Sequence, residues 1–434
     1  MGPVQVKLFV QNLNPRLDYI ASIILGDILG LNWEIVTDKE KLVGLPVINY
    51  SNENVAGSLN IVPNGLLSET GLIAREIAVS NWNEIPVFFQ TGTGTGLPFD
   101  IFAASFWLIT RYEEYLPHEK DMHGRFRASS SLAFRNGFLA KPVIDLWSEK
   151  FAFMLKERFP SLVIRKNKFR ALLTVDIDVP FAYRGRNIFR NMGGFIRDAI
   201  LQTGSIDERF SVLTGKNNDP YDVFDYITRM AEVYESEIRF FFSVGNYSGY
   251  DKNPSWKNRL YSDLIRNIAL KYNAGLHPGY HAAVSINKLE NEHKRLSIIT
   301  GGEVASARFH YLRLFFPDSY RALIKAGIKE DYSLGFHDEP GFRAGISRPF
   351  NFYDLNEDKE TLLRIVPFNV MDVTLSQYKG LGPSESGELI MNIMNEARRA
   401  GGLFVSLWHN TTLAQTPSGM EWRNVFESML KAQQ

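Results

Sequence analysis

The 434-residue sequence contains no cysteine, which excludes disulfide bonds, thiolate nucleophiles and cysteine-ligated metal sites. It also lacks an excess of charge, because 48 Lys and Arg balance 48 Asp and Glu. Nucleic-acid binders normally carry a basic excess or a basic stripe. Neither nucleic-acid binding nor membrane binding through net charge is therefore predicted.

Long apolar runs are missing as well. No stretch is long enough to span a bilayer, and the N-terminus lacks a basic region followed by an unbroken apolar run. We therefore expect a cytoplasmic protein without a transmembrane segment, although a targeting segment removed before residue 1 stays an open alternative. The length favours two domains, and the sequence does not indicate the oligomeric state.

Residues 1–165 alternate short β-like runs with helical stretches, which predicts a separate N-terminal α/β domain of unknown role. The predicted strands are Val4–Val10, Leu45–Tyr50, Leu59–Val62 and Ile85–Phe89, and the predicted helix is Ile101–Tyr115. The glycine-rich segment TGTGTGLPFD at 91–100 meets neither the dinucleotide fingerprint nor the P-loop spacing. A plain loop is favoured there over a phosphate-binding loop.

A polar, basic stretch at 157–170 marks the predicted boundary, so that residues 166–434 form the second domain. Strands and helices alternate from there on, which is typical of a parallel sheet, open or closed into a barrel. The predicted strands are 171–176, 238–244, 274–277, 305–310, 364–372 and 403–409, and the predicted helices are 223–235, 256–272, 286–299, 319–326 and 385–400.

Reactive side chains stand at the downstream ends of four of these strands. They are Asp176 and Asp178, then His277, then Arg308, then His409. In βα barrels the active site gathers at that end, because the strand-to-helix loops converge there. The pattern predicts one catalytic site built from distant parts of the chain.

Three local motifs suggest the chemistry of that site. His277 and His281 are spaced so that both imidazoles can bind one metal ion, although such a pair can also be an ordinary core or surface pair. Asp176 and Asp178 suggest one metal ligand and one proton acceptor, with a turn and helix cap as the alternative. His409 is a candidate general acid, or else a hydrogen-bonded histidine at a strand end.

The order of these motifs resembles the polysaccharide deacetylase superfamily (NodB-homology, carbohydrate esterase family 4-like). The similarity extends over about residues 168–415 and is carried by TVDID at 174–178, HPGYH at 277–281, Arg308 and LWHN at 407–410. The strings RFHYLR (308–313), GFRAG (341–345) and SLWHN (406–410) resemble a bacterial branch. The N-terminal part resembles the uncharacterised domain that often precedes that branch.

The resemblance implies a distorted (β/α) barrel of NodB type with a divalent metal, zinc being expected, held by Asp178, His277 and His281. It implies further that Asp176 is the general base and His409 the general acid. Other implied roles are orientation of the base by Arg308, tethering of that arginine by Asp331, and substrate contacts by Arg343, His310, Tyr280 and Trp408.

The activity that follows is removal of an acyl group, acetyl in the first place, from an N-acetylated sugar or glycan precursor. Two departures leave the substrate class open: an isoleucine separates the aspartates, and Pro278 stands where the family usually has Ser or Thr. The alternatives are a hydrolase of another linear or cyclic C–N bond and a catalytically silent carbohydrate-binding protein.

Overall fold

The structure is a computed structural model that describes residues 4–92, 96–185 and 205–434. Part of the glycine-rich segment at 91–100, residues 93–95, therefore lies outside the described residues. The N-terminal part contains a four-stranded parallel sheet in the order β2-β1-β3-β4. Its strands are β1 (Val6–Val10), β2 (Trp33–Val36), β3 (Val47–Tyr50) and β4 (Leu59–Ile61), and a separate antiparallel pair consists of β5 (Ser80–Trp82) and β6 (Ile85–Val87).

The N-terminal part also contains helices. They are α1 (Pro15–Ala21), which continues as a π-helical turn at Ser22–Ile28, α2 (Ile101–Ile109), α3 (Tyr112–Tyr115), α4 (Leu132–Arg135) and α5 (Val143–Arg158), with 3-10 turns at Lys39–Leu42, Leu66–Ser68 and Ala128–Ser130. The Asp100 side chain caps α2 by accepting a hydrogen bond from the amide of Ala103 at 3.0 Å. The single helix predicted for 101–115 is interrupted, because Arg111 has a φ of 55°.

The C-terminal part contains a nine-stranded sheet in the order β12-β13-β11-β10-β9-β8-β7-β15-β14. Its strands are β7 (Arg170–Ile177), β8 (Glu237–Phe242), β9 (Asn273–Leu276), β10 (Ser306–Ala307), β11 (Glu330–Asp331), β12 (Phe350–Asp354), β13 (Lys359–Ile365), β14 (Val370–Met371) and β15 (Leu403–His409). All neighbours run parallel except β12 and β13. The prediction of a mixed α/β fold is confirmed, but the described strands form an open sheet, because its edge strands β12 and β14 do not pair; the predicted barrel closure is not found.

Helices connect most of these strands, as expected for parallel neighbours. They are α6 (Ser205–Leu213), α7 (Phe224–Val233), α8 (Arg259–Ala269), α9 (Ile286–Thr300), α10 (Asp318–Lys325), α11 (Pro383–Arg399) and α12 (Pro417–Ala432), with short helical turns at Ala282–Val284, His310–Leu312 and Thr374–Tyr378. The strand predicted at 364–372 is wrong as one element. It divides into the end of β13 and the whole of β14, and these two strands lie near opposite ends of the strand order.

The two parts of the chain share one hydrophobic core and are joined by buried polar contacts. Arg343 donates two hydrogen bonds to the carboxylate of Glu114, at 2.9 and 2.6 Å. Asp145, in α5, accepts from the backbone of Ser347 and from the side chain of Arg348. Among the described residues, no helix has the length and apolar character needed to cross a membrane.

Gly275 in β9 permits close packing of the strands that carry the polar residues. A Cβ atom there would lie 2.6 Å from the ring of Phe241 and 2.7 Å from the hydroxyl of Ser306. We predict that Gly275→Ala destabilises the protein by about 1–3 kcal/mol, as overpacking of a filled core does. Chemical denaturation checks this, with Gly302→Ala as the control because nothing lies within 4 Å of its Cβ position. Equal stability of the two variants would contradict the prediction.

Candidate metal and acid–base site

Two carboxylates lie at the end of strand β7: Asp176 within the strand and Asp178 directly after it. Side chains alternate along a strand, so Asp176 and Asp178 point the same way while Ile177 is fully buried in the core. Alternation therefore explains why an intervening residue separates the two acids. Asp176 is 2% exposed, whereas the side chain of Asp178 is 24% exposed at the mouth of the site.

His277 follows β9, the second strand beyond β7 in the sheet. Its Nδ1 lies 2.6 Å from the carbonyl oxygen of Arg308. A carbonyl can only accept, so Nδ1 carries the proton and Nε2 of the neutral ring presents its lone pair. That Nε2 lies 2.9 Å from Asp178 Oδ1 and 3.9 Å from Asp176 Oδ2.

His310 follows β10 and completes a group of three. Its Nδ1 lies 2.9 Å from Oδ1 of Asp251, and its Nε2 lies 3.5 Å from Oδ2 of Asp178. The nearest candidate ligand atoms of Asp178, His277 and His310 all lie within 4.8 Å of one another. Two imidazoles and one carboxylate, each imidazole held through its other nitrogen, form a donor set that suits zinc.

The electrostatics of this group also fit a cation. Burial lowers the pKa of His310, but Asp178 and Asp251 outweigh it and raise the pKa to about 10. Burial raises the pKa of Asp178, but His310 and His277 hold it well below its usual range. Asp178 Oδ1 and His277 Nε2 are buried and face each other at 2.9 Å, and among the described residues neither atom has another hydrogen-bond partner. Buried polar atoms without partners are costly, and a shared cation would satisfy both.

His409 ends β15 on the other side of β7. Its Nδ1 lies 2.7 Å from Oδ1 of Asp372, whose Oδ2 accepts the backbone N–H of His409 at 2.8 Å. Nε2 therefore faces the cleft, 3.8 Å from Oδ2 of Asp178. Burial lowers the pKa of His409, but the carboxylate of Asp372 outweighs it and the pKa is raised to about 9.

Arg308 serves two of these groups. Its Nη1 donates to Oδ1 of Asp176 at 2.8 Å, and its own carbonyl oxygen holds His277. Nε donates to the carbonyl oxygen of Tyr332. Asp331 lies on the neighbouring strand, but its carboxylate accepts from the amide and hydroxyl of Ser333. Its expected tether to Arg308 is not among the hydrogen bonds of the described residues.

The remaining predicted residues lie elsewhere. His281 is exposed and borders a different depression, one beside Lys288 and Arg295, so His310 takes the place expected for it. The backbone does not form the helical turn that the spacing of four required, since the helical segment begins only at Ala282. The prediction for His310 was a substrate contact, whereas the structure places it with Asp178 and His277 in a group that could hold a metal ion.

Three residues that were predicted to contact substrate pack against other side chains instead. Arg343 is 4% exposed in its ion pair with Glu114. Trp408 is 1% exposed and packs on Phe426, because alternation along β15 turns it away from His409. Tyr280 stacks on Tyr250 with ring centroids 3.7 Å apart. None of the three is among the residues lining the described cleft.

The site opens into a cleft of about 260 Å³. Its polar lining includes Asp176, Asp178, His277, His310 and His409, and its walls include Arg125, Tyr311, Leu312, Met371, Tyr378 and Leu407. Asp372 and Asp251 had no place in the sequence prediction. Asp372 ends a predicted strand, as Asp176 and His409 do, so the same rule would have found it. Asp251 lies in a loop without such a signal.

Residues 6–160 match a family of unknown function, DUF7033. This match covers the N-terminal part of the chain. No curated protein matches the chain.

Several solved structures are similar to the chain at low identity. A protein classed as a polysaccharide deacetylase from Mycobacterium smegmatis is 13% identical, with 61% of this chain and 85% of that one covered and a TM-score of 0.40. A CE4 family pseudoenzyme from Bacillus anthracis is 11% identical, with 62% and 63% covered and a TM-score of 0.32. A 4-alpha-glucanotransferase from Thermococcus litoralis is 13% identical, with 62% of this chain and 38% of that one covered and a TM-score of 0.34. Similarity this low identifies neither an activity nor a substrate for this chain.

The ligand set can be tested by metal analysis of single variants. We predict that the purified protein binds about one equivalent of zinc or another divalent ion. His277→Ala and His310→Ala should each lose most of this ion, because the two protein ligands that are left cannot hold it tightly. His281→Ala is the matched control and keeps the ion. Elemental analysis after dialysis measures this. Loss of the ion in His281→Ala but not in His310→Ala would contradict the assignment.

Proposed function

We propose that the chain is a metal-dependent amide hydrolase that removes an acyl group, acetyl in the first place, from an N-acylated sugar. The observation that carries the proposal is the convergence of three imidazole Nε2 atoms on the carboxylate of Asp178. Two of these rings are oriented as ligands. The third, His409, has its own carboxylate partner and stands apart as an acid.

The chemistry that a divalent cation supplies in such a site is Lewis acidity, which polarises an acyl carbonyl and lowers the pKa of a water molecule. Asp178, His277 and His310 would hold it. Zinc suits this nitrogen and oxygen donor set, and three protein ligands leave room for water and substrate.

Asp176 is suited to take the proton of the attacking water. Arg308 holds one of its oxygens at 2.8 Å, which fixes the orientation of the carboxylate. The other oxygen, Oδ2, faces the metal-binding group and is available as an acceptor. A general base must stand within hydrogen-bond reach of the proton it removes. Asp176 meets that requirement for a water molecule between it and the metal-binding group.

His409 is suited to protonate the leaving nitrogen. An amine leaves an amide as a neutral molecule, so the C–N bond needs a proton donor as it breaks. The raised pKa of His409, about 9, keeps Nε2 protonated at neutral pH. Asp372 fixes the ring and stabilises its positive charge. A protein that only binds carbohydrate has no use for this acid beside a base.

The sugar part of the proposal rests on the sequence resemblance and on the walls of the cleft. Tyr311 and Tyr378 line it, and aromatic rings beside polar groups suit the apolar faces and hydroxyls of a sugar. The volume of about 260 Å³ is consistent with one sugar unit bearing a small acyl group.

Activity is tested by acetate release from N-acetylglucosamine and its oligomers with the zinc-loaded protein. We predict that Asp176→Asn lowers the rate by about 10²-fold or more, as loss of a general base does, while the bound metal is retained. His281→Ala should keep wild-type activity. Release of acetate by Asp176→Asn at the wild-type rate would refute the role of Asp176. A metal-loaded wild type that binds these sugars without releasing acetate would instead be a carbohydrate-binding protein.

The pH profile tests the pairing of His409 with Asp372. The acid is active when protonated, so the rate falls as pH rises through the pKa of His409. Asp372 raises the pKa of His409 most, ahead of Asp178 and Asp176, against the effect of burial. We therefore predict that Asp372→Asn moves the alkaline limb of the profile to lower pH and lowers the maximal rate by about 10²-fold. An unchanged alkaline limb would assign that limb to another group.

A further inference from the structure

The N-terminal part reaches the catalytic cleft through the segment Asp121–Arg125. Arg125 lines the cleft although it belongs to that part, and its side chain is only 6% exposed. The carboxylate of Asp121 accepts hydrogen bonds from the backbone amide of Arg125 at 2.9 Å and from its Nε at 2.8 Å. A contact within the N-terminal part thus fixes the orientation of the Arg125 guanidinium.

From there Arg125 holds the turn that carries His310. Its Nη1 donates to the carbonyl oxygen of Tyr311 at 2.9 Å, and its Nη2 lies 3.3 Å from the hydroxyl of Tyr378. Tyr311 and Leu312 both have positive φ angles, 59° and 53°. Residues with side chains rarely adopt this conformation, and it persists only where surrounding contacts impose it. The bond from Arg125 to Tyr311 is one such contact.

The same segment holds the turn that carries His277. His123 Nδ1 lies 3.1 Å from the hydroxyl of Tyr280, three residues after His277. Arg313, beyond the His310 turn, donates through Nε to the carbonyl oxygen of His123 at 3.0 Å. The two turns are also joined directly, because the amide of His310 donates to the carbonyl oxygen of Pro278 at 3.0 Å.

We propose that the segment Asp121–Arg125 is a positioning element of the metal site, so that the N-terminal part is required to hold His277 and His310 in their ligating arrangement. The inference rests on the proposed function for the identity of the site. It gives the N-terminal part a role within catalysis, which neither its sequence nor its family match supplies. Arg125 is a positioning residue in this account, acting on His310 through the backbone of Tyr311.

The test compares Arg125→Met and His123→Ala with the control Arg127→Met in the full chain. Arg127 is exposed, two residues away, and undergoes the same substitution as Arg125. Two quantities are measured. The first is hydrogen exchange of the backbone amides of residues 308–314 in metal-free protein. The second is the zinc dissociation constant, obtained by chelator competition, together with the absorption bands of the cobalt-substituted protein.

We expect Arg125→Met to accelerate exchange in residues 308–314, to raise the zinc dissociation constant by about 10-fold or more and to alter the cobalt bands. His123→Ala should act in the same direction, and Arg127→Met should match wild type. A folded Arg125→Met with wild-type exchange and wild-type zinc affinity would overturn the inference. If Arg125→Met does not fold, the same two measurements on His123→Ala test the inference, and wild-type exchange and zinc affinity in that variant would overturn it. The His123 side chain is partly exposed, so its removal should leave the fold intact.

Different results would contradict the proposed function and the positioning role of Arg125. If wild type releases no acetate or binds no metal, the proposed function is wrong, whereas accelerated exchange in Arg125→Met still supports positioning of the two turns. If wild type binds zinc and releases acetate but Arg125→Met is indistinguishable from it in both measurements, the proposed function stands and the positioning role is wrong.

Discussion

The carboxylate of Asp178 is the charge around which the rest of the cleft is arranged. Burial alone would favour its protonated form, yet the imidazoles of His310 and His277 hold its pKa well below the usual range. Three rings around it are each fixed through Nδ1 by an oxygen: His277 by the carbonyl of Arg308, His310 by the carboxylate of Asp251 and His409 by the carboxylate of Asp372. A shell of oriented hydrogen bonds therefore presets the geometry before any ligand arrives.

This arrangement depends on the sheet. Strand β7 lies between β8 and β15, and the two acids at its end meet histidines that follow β9 and β10 and the histidine that ends β15. Close approach of β8, β9 and β10 is possible because Gly275 has no side chain. The two turns that carry His277 and His310 are then braced by the N-terminal part. Site geometry thus draws on both parts of the chain, which share one core.

Much of this could be predicted from the sequence, because polar residues that end apolar strands gather at one edge of a parallel sheet. That rule correctly brings Asp176, Asp178, His277, Arg308 and His409 together, and β15 begins and ends where its apolar run does. Periodicity fails for 364–372, where an apolar run is divided between two strands around Pro367.

Sequence spacing pointed to His281 as the second histidine ligand, whereas the structure groups His310 with Asp178 and His277. A separation of four places His281 beside His277 only on a helical turn, and the chain does not form one there. His310 was recognisable as a pocket residue from its position two beyond Arg308, but its role depends on a bond to Asp251, 59 residues away. Contacts of that kind are set by tertiary packing. The same holds for Arg125, whose importance comes from a hydrogen bond across 186 residues to Tyr311.

The central claim is that Asp178, His277 and His310 form one metal site. The most direct measurement is X-ray diffraction from zinc-soaked crystals, with anomalous data collected at the zinc edge. We predict one strong peak at about 2.0–2.2 Å from Nε2 of His277, Nε2 of His310 and the carboxylate of Asp178. A peak between His277 and His281, or none beside Asp178, would contradict it.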